Sequence, residues 1–133
     1  MIPVWVDTNV LLRFLLDEPQ DQAKRARTLI NKAERAEIAL IVPVVVLAEV
    51  VWVLHSYYGQ TVVSIAEKLR PLVATEGLVV ENSDVVLEAL RVMAERSLKF
   101  ADAYLVAAAT SRQQAVATFD LELRKLSPRA FPV

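Results

Sequence analysis

The chain has 133 residues, with 15 Lys and Arg against 16 Asp and Glu, one His, two Gly and no Cys. The missing Cys removes thiol chemistry and Cys-based zinc sites, and two isolated glycines, Gly59 and Gly77, cannot build a Walker loop or a G-x-G-x-x-G phosphate turn. His55 is the single imidazole and lies in an apolar stretch, so a Ser-His-Asp triad has no well-placed base and acid–base chemistry has to rest on carboxylates. A net charge of −1 argues against a large basic face. The length fits one domain over residues 1–133. The opening MIPVWVDTNV has no charged n-region followed by an apolar core, which leaves a cytoplasmic protein as the expectation. Pro43 and Glu49 interrupt the apolar tract from Ile38 to Leu54, which reads as soluble core and not as a membrane span.

In chain order, Ile2 to Asp7 reads as a strand and Asn9 to Leu16 as a short helix. Asp17-Glu18-Pro19 opens a second helix, with acids at its positive end and an apolar stripe of Ala23, Ala26, Ile30 and Ala33 opposite Lys24, Arg25, Arg27, Lys32 and Arg35. Ile38 to Val42 is a second strand stopped at Pro43. Val44 to Tyr58 is a helix apolar nearly all round, ending at Gly59, and such a helix needs cover on more than one side. Val62, Ile65, Leu69 and Leu72 mark the next helix, Leu78 to Val80 a third strand, and Val86, Leu90 and Met93 a helix capped by Asn82 or Ser83. Leu98 to Arg112 is Ala-rich and helical, Ala115 to Phe119 a fourth strand, Leu121 to Leu126 a short helix, and Phe131 to Val133 a fifth, edge strand. Apolar strands alternating with helices predict an α/β fold, a three-layer α/β/α sandwich around a parallel sheet of about five strands.

Four acids break an apolar context. Asp7 ends the first strand, Glu49 lies in the helix after the second, Asp102 begins the Ala-rich helix, and Asp120 ends the fourth strand. In a parallel α/β sheet the strand carboxyl ends and the helix starts that follow share one edge, where ligands bind. Carboxylates gathered there repel unless a cation stands among them, and an all-oxygen donor set suits Mg²⁺ or Mn²⁺. The matching chemistry is hydrolysis of a phosphodiester. With four acids set aside, twelve face fifteen cations, a balance of +3 for the rest of the chain. Each acid also has a structural reading. Asp7 and Asp120 stand where helix N-caps stand, and Asp102 suits the positive end of its helix. Glu49, flanked by Val46-Leu47-Ala48 and Val50-Val51-Trp52, is expected to be buried and to need a partner, either Arg or Tyr or a metal. Thr8 and Asn9 beside Asp7, and Thr118 near Asp120, are candidate supporting groups. Arg13 reads as either a surface charge or a phosphate contact, and Glu81, Asp84 and Glu88 read as helix-start and solvent-face acids.

The opening Val-Asp-Thr-Asn-Val-Leu-Leu-Arg, the Leu-Ala-Glu-Val-Val-Trp-Val-Leu segment, the Phe-Ala-Asp-Ala-Tyr-Leu-Val-Ala-Ala-Ala segment and the closing Ala-Thr-Phe-Asp together resemble PIN-domain ribonucleases of the VapC toxin type. The resemblance implies Asp7, Glu49, Asp102 and Asp120 as metal-binding catalytic acids, with Thr8, Asn9 and Thr118 in support. It further implies a five-stranded parallel sheet, a homodimer, Mg²⁺-dependent cleavage of RNA, and inhibition by a cognate antitoxin protein. The 55% hydrophobic content then has a use, with Trp52, Leu54, Tyr57 and Tyr58 as candidates for a dimer or antitoxin surface. Alternatives are a PIN-like nuclease of RNA processing, a phosphoaspartyl phosphatase or receiver domain using Asp7 as nucleophile, and a noncatalytic binding module. Asn9 stands where the phosphatase signature wants a second Asp.

Overall fold

Short β-branched runs pair as strands, and the segments with one apolar stripe coil between them. In the computed structural model, which describes residues 1–133, strand β1 (Ile2–Trp5) precedes helices α1 (Thr8–Leu16) and α2 (Gln20–Glu34). Strand β2 (Ile38–Val42), helices α3 (Val44–Ser56) and α4 (Val62–Val73), and strand β3 (Leu78–Val80) follow. Helices α5 (Ser83–Arg96), α6 (Phe100–Arg112) and α7 (Leu121–Leu126) complete the chain. The three strands form one parallel sheet in the order β1-β2-β3, with Val4 opposite Leu40 and Leu40 opposite Leu78. Each parallel step needs a crossover, supplied by the pairs α1–α2 and α3–α4.

The period-two alternation of strands decides what the sheet buries. Ile38, Leu40 and Val42 of β2 and Leu78 and Val80 of β3 share one face and are buried. The opposite face carries Trp5 and Val79, which are exposed, and Ile41, which is half-buried. Burial on the first face is deepest at β2 and β3 and falls away toward β1, where Val4 is half-buried and Ile2 exposed. A continuous core runs from Val6 to Leu123 and draws on every helix except α2's polar side.

Three strands form where five were expected. Residues 115–119 bury only Val116, which makes a single parallel bridge to Ala130. The polar groups that would extend a ladder there are used locally: the Asp120 amide donates to Thr118 Oγ1, and Arg124 Nε donates to the Thr118 carbonyl. Beyond the bridge, Pro132 has no N–H to give and Phe131 donates only to Val116. The two segments thus meet each other at one bridge, and neither joins the sheet.

Helix α3 shows why an almost wholly apolar segment still has an outside. Leu47, Val50, Val51 and Leu54 fall on one stripe and are buried, while Val45, Glu49 and Trp52 fall on the other and are exposed. Leu54 is thus core, which removes it from the candidate partner surface, whereas Trp52 at 66% and Tyr57 at 78% exposure stay on it and Tyr58 is half-buried.

Gly77, just before β3, has φ +89°, and a Cβ there would stand 2.0 Å from the carbonyl oxygen of Ala33 on α2. Gly59 has φ +68° with open space around it. Gly59→Ala should lose only the left-handed backbone cost, about 1 kcal/mol. Gly77→Ala should lose roughly 3 kcal/mol or more, because a backbone clash adds to the same cost. Urea unfolding of the two variants measures the difference; equal losses would show that α2 does not press on this turn.

Candidate functional site

Parallel pairing sends the carboxyl ends of β1, β2 and β3 to one edge. Backbone bonds carry this order past the strands, since the Val6 amide donates to Ile41 at 3.0 Å and the Glu81 amide donates to Val42 at 3.1 Å. Asp7 therefore leaves β1 beside the end of β2, where α3 begins at Val44, and Glu81 leaves β3 on the other side of the same point.

Asp7 and Asp120 are both N-caps, as their positions suggested. Asp7 is extended (φ −90°, ψ 152°), and its Oδ1 accepts from the Asn9 amide at 3.4 Å. Asp120 Oδ1 accepts from the amides of Glu122 and Leu123 at 2.8 and 3.2 Å. In both residues Oδ1 serves the helix, while Oδ2 makes no hydrogen bond within the protein. Thr118 Oγ1 accepts from the Asp120 amide at 3.0 Å, which fixes the turn that presents this carboxylate. Thr8 is the one buried polar residue, at the start of α1, and Asn9 is exposed beside it with its amide committed to Asp7.

Asp102 lies in the first turn of α6, half-buried, where the helix N-terminus favours negative charge. Glu49 departs from expectation. It is exposed, because the helical period turns it outward together with Val45 and Trp52, and it needs no buried partner. It stands five residues into α3, about 7.5 Å along the axis from Val44. None of the four acids forms an ion pair; the five ion pairs of the chain lie elsewhere. These are free, hard oxygen donors, chemically suited to Mg²⁺ or Mn²⁺, which are held by one or two carboxylates with water completing the shell. No three His, Cys, Asp or Glu side chains stand together as a ready cation cage.

The clearest perturbation of a titrating group is away from these acids. The Arg91 guanidinium, hydrogen-bonded to Glu88, holds that carboxyl below the usual carboxylate range, and Glu88 and Glu95 together raise Arg91 further. This cluster lies on the outside of α5 and has the character of a surface network.

From the sequence Glu81 reads as one of the helix-start and solvent-face acids, with no contact to α3 expected. Its Oε1 instead accepts from the Val44 amide at 3.0 Å and caps α3, whose own N-cap, Pro43, offers no side-chain bond. The neighbouring Asn82 uses its side chain to donate to the Tyr104 hydroxyl at 3.0 Å, tying the end of β3 to α6 two residues after Asp102. The available signal for Glu81 was its place immediately after a strand, the same criterion that singled out Asp7.

The model for the PIN domain family matches residues 4–127, so this chain belongs to the PIN domain family. PIN domains are generally nucleases, hydrolases that typically use divalent metals, and the α/β fold with its parallel sheet and seven helices agrees with that membership. A comparison with curated proteins finds no significant match. No helix of the chain is long and apolar enough to cross a membrane.

Asp120 carries a cap that can be separated from its charge. Asp120→Ala should cost about 1 kcal/mol of stability, while Asp120→Asn, which keeps a capping oxygen, should cost only a few tenths. Thermal unfolding of both variants reads the difference; an equal loss would mean that the α7 cap is not what Asp120 contributes to folding.

Proposed function

We propose that the protein is a metal-dependent endoribonuclease acting as the toxin of a toxin-antitoxin pair, with Asp7, Glu49, Asp102 and Asp120 as its catalytic acids. The observation that carries the reading is the PIN family match over residues 4–127, which takes in all four of these acids. Their freedom from ion pairs supports it, because a carboxylate already neutralised by arginine is a poor ligand for a cation. Oδ2 of Asp7 and Oδ2 of Asp120 are the atoms left free by the caps, and the carboxylates of Glu49 and Asp102 make no intramolecular hydrogen bond.

These residues would hold Mg²⁺ or Mn²⁺. When bound, such a cation supplies positive charge beside a phosphodiester and acidifies water at neutral pH. The chain's own contribution is orientation. Asp7 is held by the Asn9 amide and seated between buried Val6 and buried Thr8. Asp120 is braced from both sides, by Thr118 before it and by the first turn of α7 after it. Ordered backbone of this kind keeps carboxylates in place without help from the bound ion. Hydrolysis then joins a water oxygen to phosphorus, breaks one P–O ester bond and returns a proton to the departing oxygen. No histidine is called for, and His55, bonded through Nδ1 to the Gln60 carbonyl, is left to the end of α3.

A homodimer and a cognate antitoxin belong to the same reading, and exposed Trp52 and Tyr57 are the residues of α3 and its end best suited to such a contact. Neither the phosphoaspartyl alternative nor RNA processing outside a toxin pair gains a specific observation.

Purified protein incubated with total RNA in Mg²⁺ should release fragments, and chelation should stop it. Glu49→Gln and Asp7→Asn should each lower the rate by on the order of a hundredfold or more while both variants unfold near the parent's midpoint. Cleavage that persists in chelator, or in both variants, would overturn the reading.

A further inference from the structure

Helices α1 and α2 enclose a cleft of about 360 Å³ whose polar lining is Asn9 and Arg13 from α1 and Gln22 and Arg25 from α2. The rest of the lining is aliphatic, and no acid takes part in it. Arg13 is half-buried, yet its guanidinium meets only neutral oxygens: Nη1 donates to the Glu18 carbonyl at 3.0 Å and Nη2 to the Tyr58 hydroxyl at 3.4 Å. Its Nε is shielded from solvent and has no partner. Buried or partly buried charges are ordinarily compensated by an opposite charge, and Arg13 has none. Arg25 has only a 3.9 Å contact with Asp21, with both side chains more than three-quarters exposed, a pair that does little to neutralise it.

We propose that this cleft holds a backbone phosphate of an RNA strand next to the bond being cut, with Arg13 and Arg25 as the phosphate-binding pair. The inference rests on the nuclease reading above and extends it to the path of the substrate. Two guanidinium groups in a concavity without a carboxylate select an anion: each Nη of Arg13 keeps one N–H beyond its bond to Glu18 or Tyr58, and the exposed Arg25 brings its planar fork to phosphate oxygens. Asn9, at the near end of the cleft, lies two residues from Asp7, and Arg13 lies one turn further, about 6 Å along the helix. A strand passing Asp7 therefore runs along α1 toward the two arginines. Arg13 is braced by Glu18 and Tyr58 before any ligand arrives, so little of its side-chain freedom remains to be lost on binding. Phosphate contacts of this kind position a strand without reading its bases.

The test measures binding of a fluorescein-labelled, 2′-O-methyl single-stranded RNA, which resists cleavage, to the full chain by anisotropy over a salt series. Arg25→Gln should weaken binding several-fold and flatten the slope of log affinity against log salt by roughly 0.7, the value for one phosphate contact on a single strand. Arg25→Lys should restore most of the slope, and Arg13→Gln should flatten it by a similar amount. Arg25 is exposed, so its variants carry the test without disturbing the brace that Arg13 makes. An unchanged slope in Arg25→Gln and Arg13→Gln overturns the inference, as does a loss of affinity for polyglutamate with none for RNA, which would assign the cleft to an acidic protein partner. Asp7→Asn, assayed for cleavage of unmodified RNA alongside, separates the two levels. If it abolishes cleavage while the slopes stay unchanged, only the phosphate cleft fails; if it has no effect, the nuclease reading fails whatever the slopes show.

Discussion

The parallel register of β1, β2 and β3 is the constraint from which the candidate site follows. In an antiparallel sheet β2 would run against both its neighbours, and the start of α3 would lie at the far edge from the acids that follow β1 and β3. Here the amide-to-carbonyl bonds from Val6 to Ile41 and from Glu81 to Val42 carry the ladder one residue past β1's and β3's ends. Asp7 and Glu81 are thereby fixed on either side of the point where Pro43 releases β2 into α3. Pro43 is well suited to that point, because its ring fixes φ near −65° and it has no amide to leave unsatisfied. The amide exposed one residue later, that of Val44, is satisfied by Glu81 from across the sheet edge.

A second consequence concerns how acids are held at helix starts. Each helix begins with amides that lack an intrahelical acceptor, and Asp7 and Asp120 each give one oxygen to that need. A monodentate cap leaves the other oxygen outward. Structural and chemical readings of these two residues are therefore not exclusive, and the local bond that makes a capping aspartate unremarkable is also what orients it. Glu49 has no such anchor. It depends on α3 itself, whose buried stripe of Leu47, Val50, Val51 and Leu54 fixes the helix rotation and so the direction in which Glu49 leaves it.

Most of the helices and the first three strands were legible in the sequence because local pattern and tertiary packing agree in them. The stripe Ala23, Ala26, Ile30 and Ala33 is the buried face of α2 without exception. The strands at 115–119 and 131–133 were misread because an apolar run states what a segment would bury, not which strand it would lie beside. Pairing is a nonlocal property, and at Thr118 the local turn captured the groups that pairing requires. Glu49 differs from its sequence expectation for a related reason: apolar neighbours in sequence are not neighbours in space, since Ala48 and Val50 lie about 100° away around the helix and Glu49 is exposed. Asp7, Asp102 and Asp120 were recognisable as helix-start acids, yet the cap made by Glu81 spans thirty-seven residues and has no local signature.

The distribution of charge gives the near-zero net value a different meaning from the one its sum suggests. A total of −1 hides a molecule in which acids occupy helix starts at the sheet edge while Arg13 and Arg25 share a cleft with no acid in its lining. The cations that do find carboxylates, Arg27 with Asp17, Arg35 with Glu37, Arg91 with Glu88 and Glu95, and more loosely Arg25 with Asp21, are spread over the surface in local pairs. Among the cations outside these pairs Arg13 alone is half-buried, and it lies near the middle of α1, whose N-cap is Asp7. Exposed pairs of opposite charge cost little to form on a solvated surface, whereas a half-buried guanidinium facing only neutral oxygens is left without that compensation. On the reading proposed above, a helix that begins at Asp7 and carries Arg13 about one and two-thirds turns later would meet its ligand at both charges. A phosphodiester chain, with one negative charge at every phosphate, would on that reading meet the carboxylate through a bound cation and the guanidinium directly.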